Sequence, residues 1–444
     1  MISGLARDGG LYVPDQVPVL SVVELKELRG KPFADVAFAV ASRFADGAIP
    51  ERELRRMVDE AYATFAHKAV TPLKQLDSNH FLLELFHGPT IAFKDVAMQL
   101  LARLMDWSLE SSGTRATIVG ATSGDTGGAA IEAFRHSRNA SIYILHPHGR
   151  VSDVQRRQMT TVHAPHVHNI ALEGTFDDCQ SIVKALFNDH AFRDGIRLAG
   201  VNSINWVRVM AQISYSTYAG LALGAPDRAI SFTVPTGNFG NVFAGLMAKR
   251  MGLPIDRLVI ATNANDILDR TVKSGRYEVK GVHATMSPSM DIQVSSNFER
   301  LVYLANNRDA QAVLRAMDGL KQSGAFSLAS DALQSIRDEF DSGASGEAET
   351  AAMMRTILEE TGEVLDPHTA VAVAVARQNQ GAAPMVSLAT AHPAKFPDAV
   401  QAAVGLRPGL PQRFEHLMTA QESFTVLPNS VEAVKDHIKA RAPL

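Results

Sequence analysis

The sequence predicts an α/β protein built on parallel-rich sheets, and three observations carry that expectation. From Phe81 onward, short β-rich runs alternate with amphipathic helical patterns, the order that parallel sheets wrapped by helices require. Two of the runs end in glycine-containing turns that lead straight into helices, at 122–128 and 236–241. The chain has 444 residues, too many for one simple core, so two or three domains are expected.

Residues 20–70 read as helical, with polar faces and modest charge. FLLELF (81–86) reads as a buried strand. HGPTIAF (87–93) follows as a loop, because Pro89 breaks any helix before it. VAMQLLARLMDWSL then repeats apolar residues at helical spacing through Val96, Leu100, Leu101 and Leu104, which places Lys94 near a helix start. The next strands are ATIVGAT (116–122), SIYILHP (141–147), VHNIALEG (167–174), AISFTVPT (229–236) and RLVIATN (257–263). Helices between them are expected in GDTGGAAIEAFRHS, SDVQRRQMTT, TFDDCQSIVKALFND and WVRVMAQISYSTYAGLAL, with Thr175 and Asp178 at capping-box spacing. DSGASGEAET (341–350) reads as a linker, followed by a helix through TAVAVAVARQ and a late strand, PMVSLAT. The expected division is a mainly helical region over 1–80, a larger α/β domain over 81–110 and 205–444, and a smaller α/β domain over 111–204.

Bulk composition excludes several function classes. With 43 basic and 47 acidic residues the net charge is −4, and no long basic run marks a nucleic-acid partner. No apolar run approaches the ~20 residues of a membrane span, and the N-terminus has no apolar core of signal-peptide length. Cys179 is the only cysteine, which rules out an internal disulfide and a multi-cysteine metal site. A cytoplasmic setting is expected. The histidines of HPH (146–148) and HAPHVH (163–168) lack the helical i, i+4 pairing of a metalloprotease and read as solvated, so no metal is expected. Arg156 and Arg157 read as a solvated helix face, and Cys179 as helix core.

The two glycine turns share a design. Ser123-Gly124-Asp125-Thr126-Gly127-Gly128 and Thr236-Gly237-Asn238-Phe239-Gly240-Asn241 each join a strand to a helix whose free amides favour an anion, with hydroxyl or amide donors alongside. Each could equally be a tight turn using glycine for close packing; the pair together favours two anion sites. Lys94 fits that picture, because a cation at a helix start opposes the dipole unless an anion lies nearby. Taken alone, Lys94-Asp95 reads as a surface ion pair. Apolar neighbours lower a lysine's preference for charge, and a neutral amine beside a phosphate cradle suits an imine with an aldehyde cofactor. Pyridoxal phosphate carries both groups. Thr390, at the expected strand end in SLATAHPAKF, is a hydroxyl partner for its ring nitrogen, and His392 lies beside it.

GLARDGGLYVP, HGPTIAFKD, GATSGDTGGAA, NSINWVR, PTGNFGN, ATNANDIL, SPSMDIQVSSNFER, DPHTAVAV and TAHPAKFP stand in this order along nearly the whole chain, and with them the chain resembles the threonine synthases of the longer bacterial and fungal type. FKD, SGDTG and GNFGN alone mark the wider pyridoxal-phosphate fold type II; SMDIQVSSNFER and NSINWVR carry the narrower resemblance. The resemblance implies two α/β domains with pyridoxal 5'-phosphate in the cleft between them, held by Lys94. It implies that Gly237, Asn238, Phe239, Gly240 and Asn241 cradle the cofactor phosphate and that Thr390 faces the pyridine nitrogen. Thr122, Ser123, Asp125 and Thr126 would meet the substrate's carboxylate or phosphate, and Asn202, Asn205 and Arg208 its phosphate. The implied reaction converts O-phospho-L-homoserine and water to L-threonine and phosphate, in a monomer or homodimer. A related phospholyase, a serine or threonine dehydratase, and a non-catalytic binder of an anionic metabolite are the competing functions. Family members usually begin with a further stretch carrying Ser-Thr-Arg-Gly; here Met1 stands three residues before Gly4. Asp291 and its neighbours either line a lid or stiffen a loop.

Overall fold

The computed structural model describes residues 4–6 and 8–442; the expectation about the chain start at Met1 falls outside them. Three helices come first: α1 (Val22–Leu28), α2 (Phe33–Ala45) and α3 (Glu51–Tyr62). Ser21 and Glu24 close a capping box on α1. α3 buries Leu54, Met57, Val58, Ala61 and Tyr62 on one stripe and turns its Arg and Glu residues outward, where Arg56 bridges Glu53 and Glu60.

Thirteen strands follow among the described residues: β1 (Leu73–Gln75), β2 (His80–Glu84), β3 (Ala116–Ala121), β4 (Ala140–Pro147), β5 (Val167–Glu173), β6 (Leu198–Ala199), β7 (Ile230–Pro235), β8 (Ile255–Thr262), β9 (Arg276–Glu278), β10 (Ala325–Ser327), β11 (Phe340–Ala344), β12 (Met385–Ala389) and β13 (Thr425–Pro428). The larger sheet has the order β1-β2-β12-β7-β8-β11, parallel throughout except where β1 meets β2. The smaller sheet, β13-β5-β4-β3-β6, is wholly parallel. β9 and β10 form a separate antiparallel pair. Every residue of β4, β7 and β12 is buried, as strands covered by helices on both faces must be.

The helices that cover the sheets include α4 (Lys94–Ser111), α5 (Asp125–Phe134), α6 (Asp153–Thr160), α7 (Phe176–Asn188), α8 (His190–Gly195), α9 (Trp206–Ala222) and α10 (Gly240–Arg250). The capping box of Thr175 and Asp178 opens α7. Its Cys179 is buried in the apolar cluster beneath the smaller sheet, where burial pushes the thiol up to about 12.

Four expectations give way to what the fold shows. The segment 341–350 is no linker: its first residues form β11, parallel to β8 at the edge of the larger sheet, and Glu347–Thr361 is a helix. The strand is poor in apolar residues because a neighbouring helix lies tight against it; a Cβ on Gly343 would meet Val375 Cγ1 at 2.8 Å. Residues beyond 424 do not lie on the larger sheet, since β13 pairs with β5 and the helix Val431–Lys439 packs its Val434 and Ile438 into the core under the smaller sheet. His146 is buried on β4 rather than solvated, and His168 stacks on Tyr143. Arg156 and Arg157 do not face solvent alone. Both pair with Glu422, so the segment leading into β13 is strapped onto α6.

Candidate active site

The loop HGPTIAF folds around Asp95. Its carboxylate accepts from the amide of Thr90 at 2.8 Å and from the Thr90 hydroxyl at 2.6 Å, and Gly88 packs so close that a Cβ there would sit 2.5 Å from the Asp95 side chain. Asp95 is thus a buried loop anchor; burial, partly offset by these bonds, lifts its carboxyl to about 6. Phe93 donates its amide to the Thr390 carbonyl at 2.8 Å, which ties the start of α4 to the end of β12. Lys94 therefore projects from the first turn of α4, buried, at a place fixed from both sides.

Its Nζ lies 3.1 Å from Oδ2 of Asp125, the first residue of α5. Burial pushes the amine below its ordinary value; Asp125 pulls it back up, and Lys395 and Arg208 push it further down. Burial alone would raise Asp125, but the Lys395 and Lys94 cations outweigh it and hold the carboxyl well below the usual range. Gln155 donates to the other oxygen at 2.9 Å.

Opposite Lys94 the loop after β7 turns through Phe239, whose φ of 63° is left-handed, and enters α10 with no side chain capping it. The first amides of α10 thus face the cleft unspent. Gly237 is required here: a Cβ would lie 2.9 Å from the Ser289 carbonyl oxygen. The segment SPSMDIQVSSNFER braces the loop. Ser295 Oγ donates to the Gly237 carbonyl at 2.6 Å, Ser296 Oγ to Asn238 Oδ1 at 3.1 Å, and the Asn297 amide to the Asn238 carbonyl at 3.1 Å. Asp291 stiffens the same segment, accepting from Asn263, Asn265 and Thr285.

These parts enclose a cavity of about 480 Å³ lined by Lys94, Thr126, Asn202, Arg208, Gly237–Asn241 and Thr390, together with Gln212, Ser289 and His368. Arg208 is buried and faces no carboxylate among the described residues; one of its nitrogens donates to the Val201 carbonyl, and its Nε has no partner there. Burial lowers it to about 10.

Not every expected residue reaches the cavity with its side chain. Thr122 Oγ1 accepts from the amides of Gly124 and Gly127, each at 2.9 Å, and so closes the turn into α5. Ser123 is exposed. Asn205 caps α9, accepting from Val207 at 3.0 Å. His392 belongs to a separate pocket, packed edge-on to Phe86. The histidine of the cleft is His368, which the sequence left unnoticed, as it did Lys395, Gln155 and Gln158. His368 follows Asp366 in DPHTAVAV, a helix-start pattern whose capping role hides any other.

The donor set suits pyridoxal phosphate. An uncapped helix start behind a glycine that tolerates no Cβ, a buried cation without a counter-charge, and a buried amine share one cavity, which matches a phosphate, a second anionic group and an aldehyde. The comparisons agree. A family model for pyridoxal-phosphate-dependent enzymes matches residues 65–390, flanked by models for the threonine synthase N terminus (1–62) and C-terminal part (369–438). A threonine synthase of Pseudomonas aeruginosa is 50% identical over 98% of this chain and 93% of its own; that of Saccharomyces cerevisiae is 41% identical over 99% and 94%. The solved structure of threonine synthase from Brucella melitensis with pyridoxal phosphate bound superposes with a TM-score of 0.98, at 58% identity over 99% of this chain and 95% of that one. The chain belongs to the threonine synthase family and is a pyridoxal-phosphate-dependent enzyme of its α/β fold.

Proposed function

We propose that this cleft converts O-phospho-L-homoserine and water to L-threonine and phosphate, with Lys94 both holding the cofactor and moving the protons. Pyridoxal phosphate, when bound, supplies an aldehyde that captures amines and a ring that withdraws electrons from the substrate's carbon skeleton. The amides of 237–241 and the start of α10 would hold its phosphate, and the Thr390 hydroxyl would face its ring nitrogen. A hydroxyl does not require that nitrogen to stay protonated, which suits elimination and replacement better than transamination. Thr126 and the backbone at the start of α5 would take the substrate carboxylate. Arg208 and Asn202 would take its phosphate, the group that leaves. Asn205 serves by holding the start of α9, and Thr122 by holding the turn of α5.

The observation that carries the reading is the buried Lys94 amine, 3.1 Å from Asp125, in the same cavity as the uncapped start of α10. The reaction removes protons from two neighbouring carbons and expels phosphate from a third; that third carbon gains a proton, water adds at the middle one and a proton returns to the first, so one amine of lowered basicity can serve repeatedly as base and acid. Ionised Asp125 gives the protonated amine a resting partner between transfers. The net charge of −4 suits a protein that engages no nucleic acid, and the single buried cysteine suits a cytoplasmic setting. Two measurements test the assignment together. Borohydride reduction of the holoenzyme followed by peptide mass spectrometry should place the pyridoxyl mass on Lys94. Incubation with O-phospho-L-homoserine should release phosphate and threonine in equal amounts. A keto acid in place of threonine would make this a phospholyase, and a label on another lysine would overturn the site.

A further inference from the structure

Lys395 follows β12 in TAHPAKF and is fully buried, yet nothing in the reaction uses it directly. Its ammonium has three N–H donors, and three acceptors surround it: Asp125 Oδ1 at 2.9 Å, Gln158 Oε1 at 2.9 Å and the Thr90 carbonyl at 2.9 Å. Gln158 in turn donates to the same Thr90 carbonyl at 3.1 Å. Those acceptors come from different parts of the fold. Asp125 and Gln158 sit on α5 and α6, beside the smaller sheet, whereas Thr90 belongs to the loop that presents Lys94 beside the larger one. A buried cation is costly unless its hydrogen bonds are complete. This one completes them only by pinning Asp125 to the Lys94 loop.

We propose that Lys395 is a positioning residue for Lys94: bound to one oxygen of Asp125, it fixes the carboxylate so that the other oxygen docks the catalytic amine. The inference rests on Lys94 as the proton carrier. Lys395 acts in two opposed ways. It keeps Asp125 ionised and oriented, which steadies the protonated amine, and its own charge disfavours that proton. The groups facing the pair are few. Lys94 has Arg208 from α9 as a further cation, while Asp95, next to it on α4, acts on Lys395. Asp125 has neutral Gln155 from α6 and the Ser289 hydroxyl at 3.3 Å, the latter backed by His368 and Asp366. Removing Lys395 therefore frees Asp125 from its anchor, and the docking lost outweighs the relief from one neighbouring cation, because Asp125 influences Lys94 more than Lys395 does.

The test follows the basicity of Lys94 in two ways: the acid limb of kcat in the holoenzyme, and the pH dependence of Lys94 acetylation by acetic anhydride in cofactor-stripped protein, read by mass spectrometry. Lys395→Met should move both to lower pH by about one unit, because the released carboxylate no longer docks the amine, roughly a tenfold change at fixed acid pH. Asp125→Asn should move both the same way and further, and Lys395→Arg should restore the wild-type position. A uniform fall in kcat with neither midpoint moved, or a rise of both midpoints in Lys395→Met, which only the loss of a neighbouring charge would give, overturns the proposal. If Lys395→Met does not fold, Asp125→Asn decides: an unmoved acetylation midpoint rejects the coupling. Acetylation reads the coupling without turnover, so its failure is distinguishable from a failure of the assigned reaction, which borohydride labelling reports.

Discussion

The amide of Ser289 donates to Nε2 of His368 at 3.1 Å, while Nδ1 of the same ring meets Asp366 at 2.8 Å. Asp366 accepts from Nδ1–H, which leaves Nε2 as the acceptor that the Ser289 amide requires. This tautomer is assigned from the partners. Ser289 then reaches Asp125 with its hydroxyl, so a relay of three hydrogen bonds runs from the helix Pro367–Gln378 to the partner of Lys94.

Asp366→Asn should disturb that relay without emptying the helix cap, since asparagine caps nearly as well as aspartate. Its amide can present a donor where Nδ1–H needs an acceptor, turning the ring or its tautomer. We expect kcat/KM to fall about 10- to 100-fold, or roughly 1.4–2.7 kcal/mol of transition-state stabilisation, with little change in Tm. Steady-state kinetics beside a thermal melt checks this. An unchanged kcat/KM would show the relay to be incidental.

Phe239 holds a left-handed backbone that costs a non-glycine residue about 1–3 kcal/mol, and its ring repays the strain. It packs edge-on to Phe298 at 5.4 Å and against Phe340 at 5.7 Å and Phe243 at 6.5 Å, 1% exposed. Phe239→Ala should cost ~3–5 kcal/mol of stability and free the amides of 237–241 to fluctuate. Pyridoxal phosphate affinity, titrated by absorbance, should then weaken more than kcat measured with the cofactor saturating. Equal affinity in the two proteins would separate the ring from the cradle.

The long strands β2, β3, β4, β5, β7, β8 and β12 and the helix start at Lys94 were legible because both depend on local pattern, apolar runs bounded by glycine and proline and periodicity after Pro89, whereas the short β1, β6, β9, β10 and β13 carry too few residues to show one. The GNFGN turn was legible for the same reason, since its strand, turn and helix are contiguous. What stayed hidden is set by distant pairing. Lys395 reads as one more charge near the C-terminus until the fold brings it to Asp125, 270 positions earlier. Arg156 and Arg157 look like a solvated face until Glu422 arrives. β11 was missed because Gly343 and its small neighbours trade side-chain bulk for close helix packing, and periodicity cannot register a strand whose burial comes from a missing Cβ.

A buried guanidinium that faces no carboxylate among the described residues is expensive without its ligand, so Arg208→Met should leave the Tm of the ligand-free protein unchanged or raise it. The same change should raise KM for the phosphorylated substrate roughly 10- to 100-fold, matching the ~1.5–3 kcal/mol of a charged hydrogen bond. Arg208→Lys should not rescue it fully, because a point charge cannot reproduce the guanidinium fork. A lower Tm together with an unaltered KM would make Arg208 a structural residue instead.

Acid should destabilise the fold above the range where most carboxylates titrate. Burial lowers His80, His146 and His392 to about 4 each, against ~6.5 in an unfolded chain. The folded state therefore binds fewer protons than the unfolded one between those values, and stability falls as pH drops from about 6.5 towards 4. Each tenfold loss of proton affinity on folding is worth roughly 1.4 kcal/mol, so the three rings together put several kcal/mol at stake. Asp95 works the other way: its carboxyl, raised to about 6, takes up a proton in the folded state first and returns part of that loss between pH 6 and 4. The balance favours the three rings, so Tm should fall clearly between pH 7.5 and 5. His80 gives the cleanest separation, since its Nε2 bonds Ser387 Oγ at 2.8 Å between β2 and β12. His80→Gln can keep that bond but cannot titrate, and should narrow the difference in Tm between the two pH values. A difference as wide as that of the wild-type protein would mean that acid lability originates elsewhere.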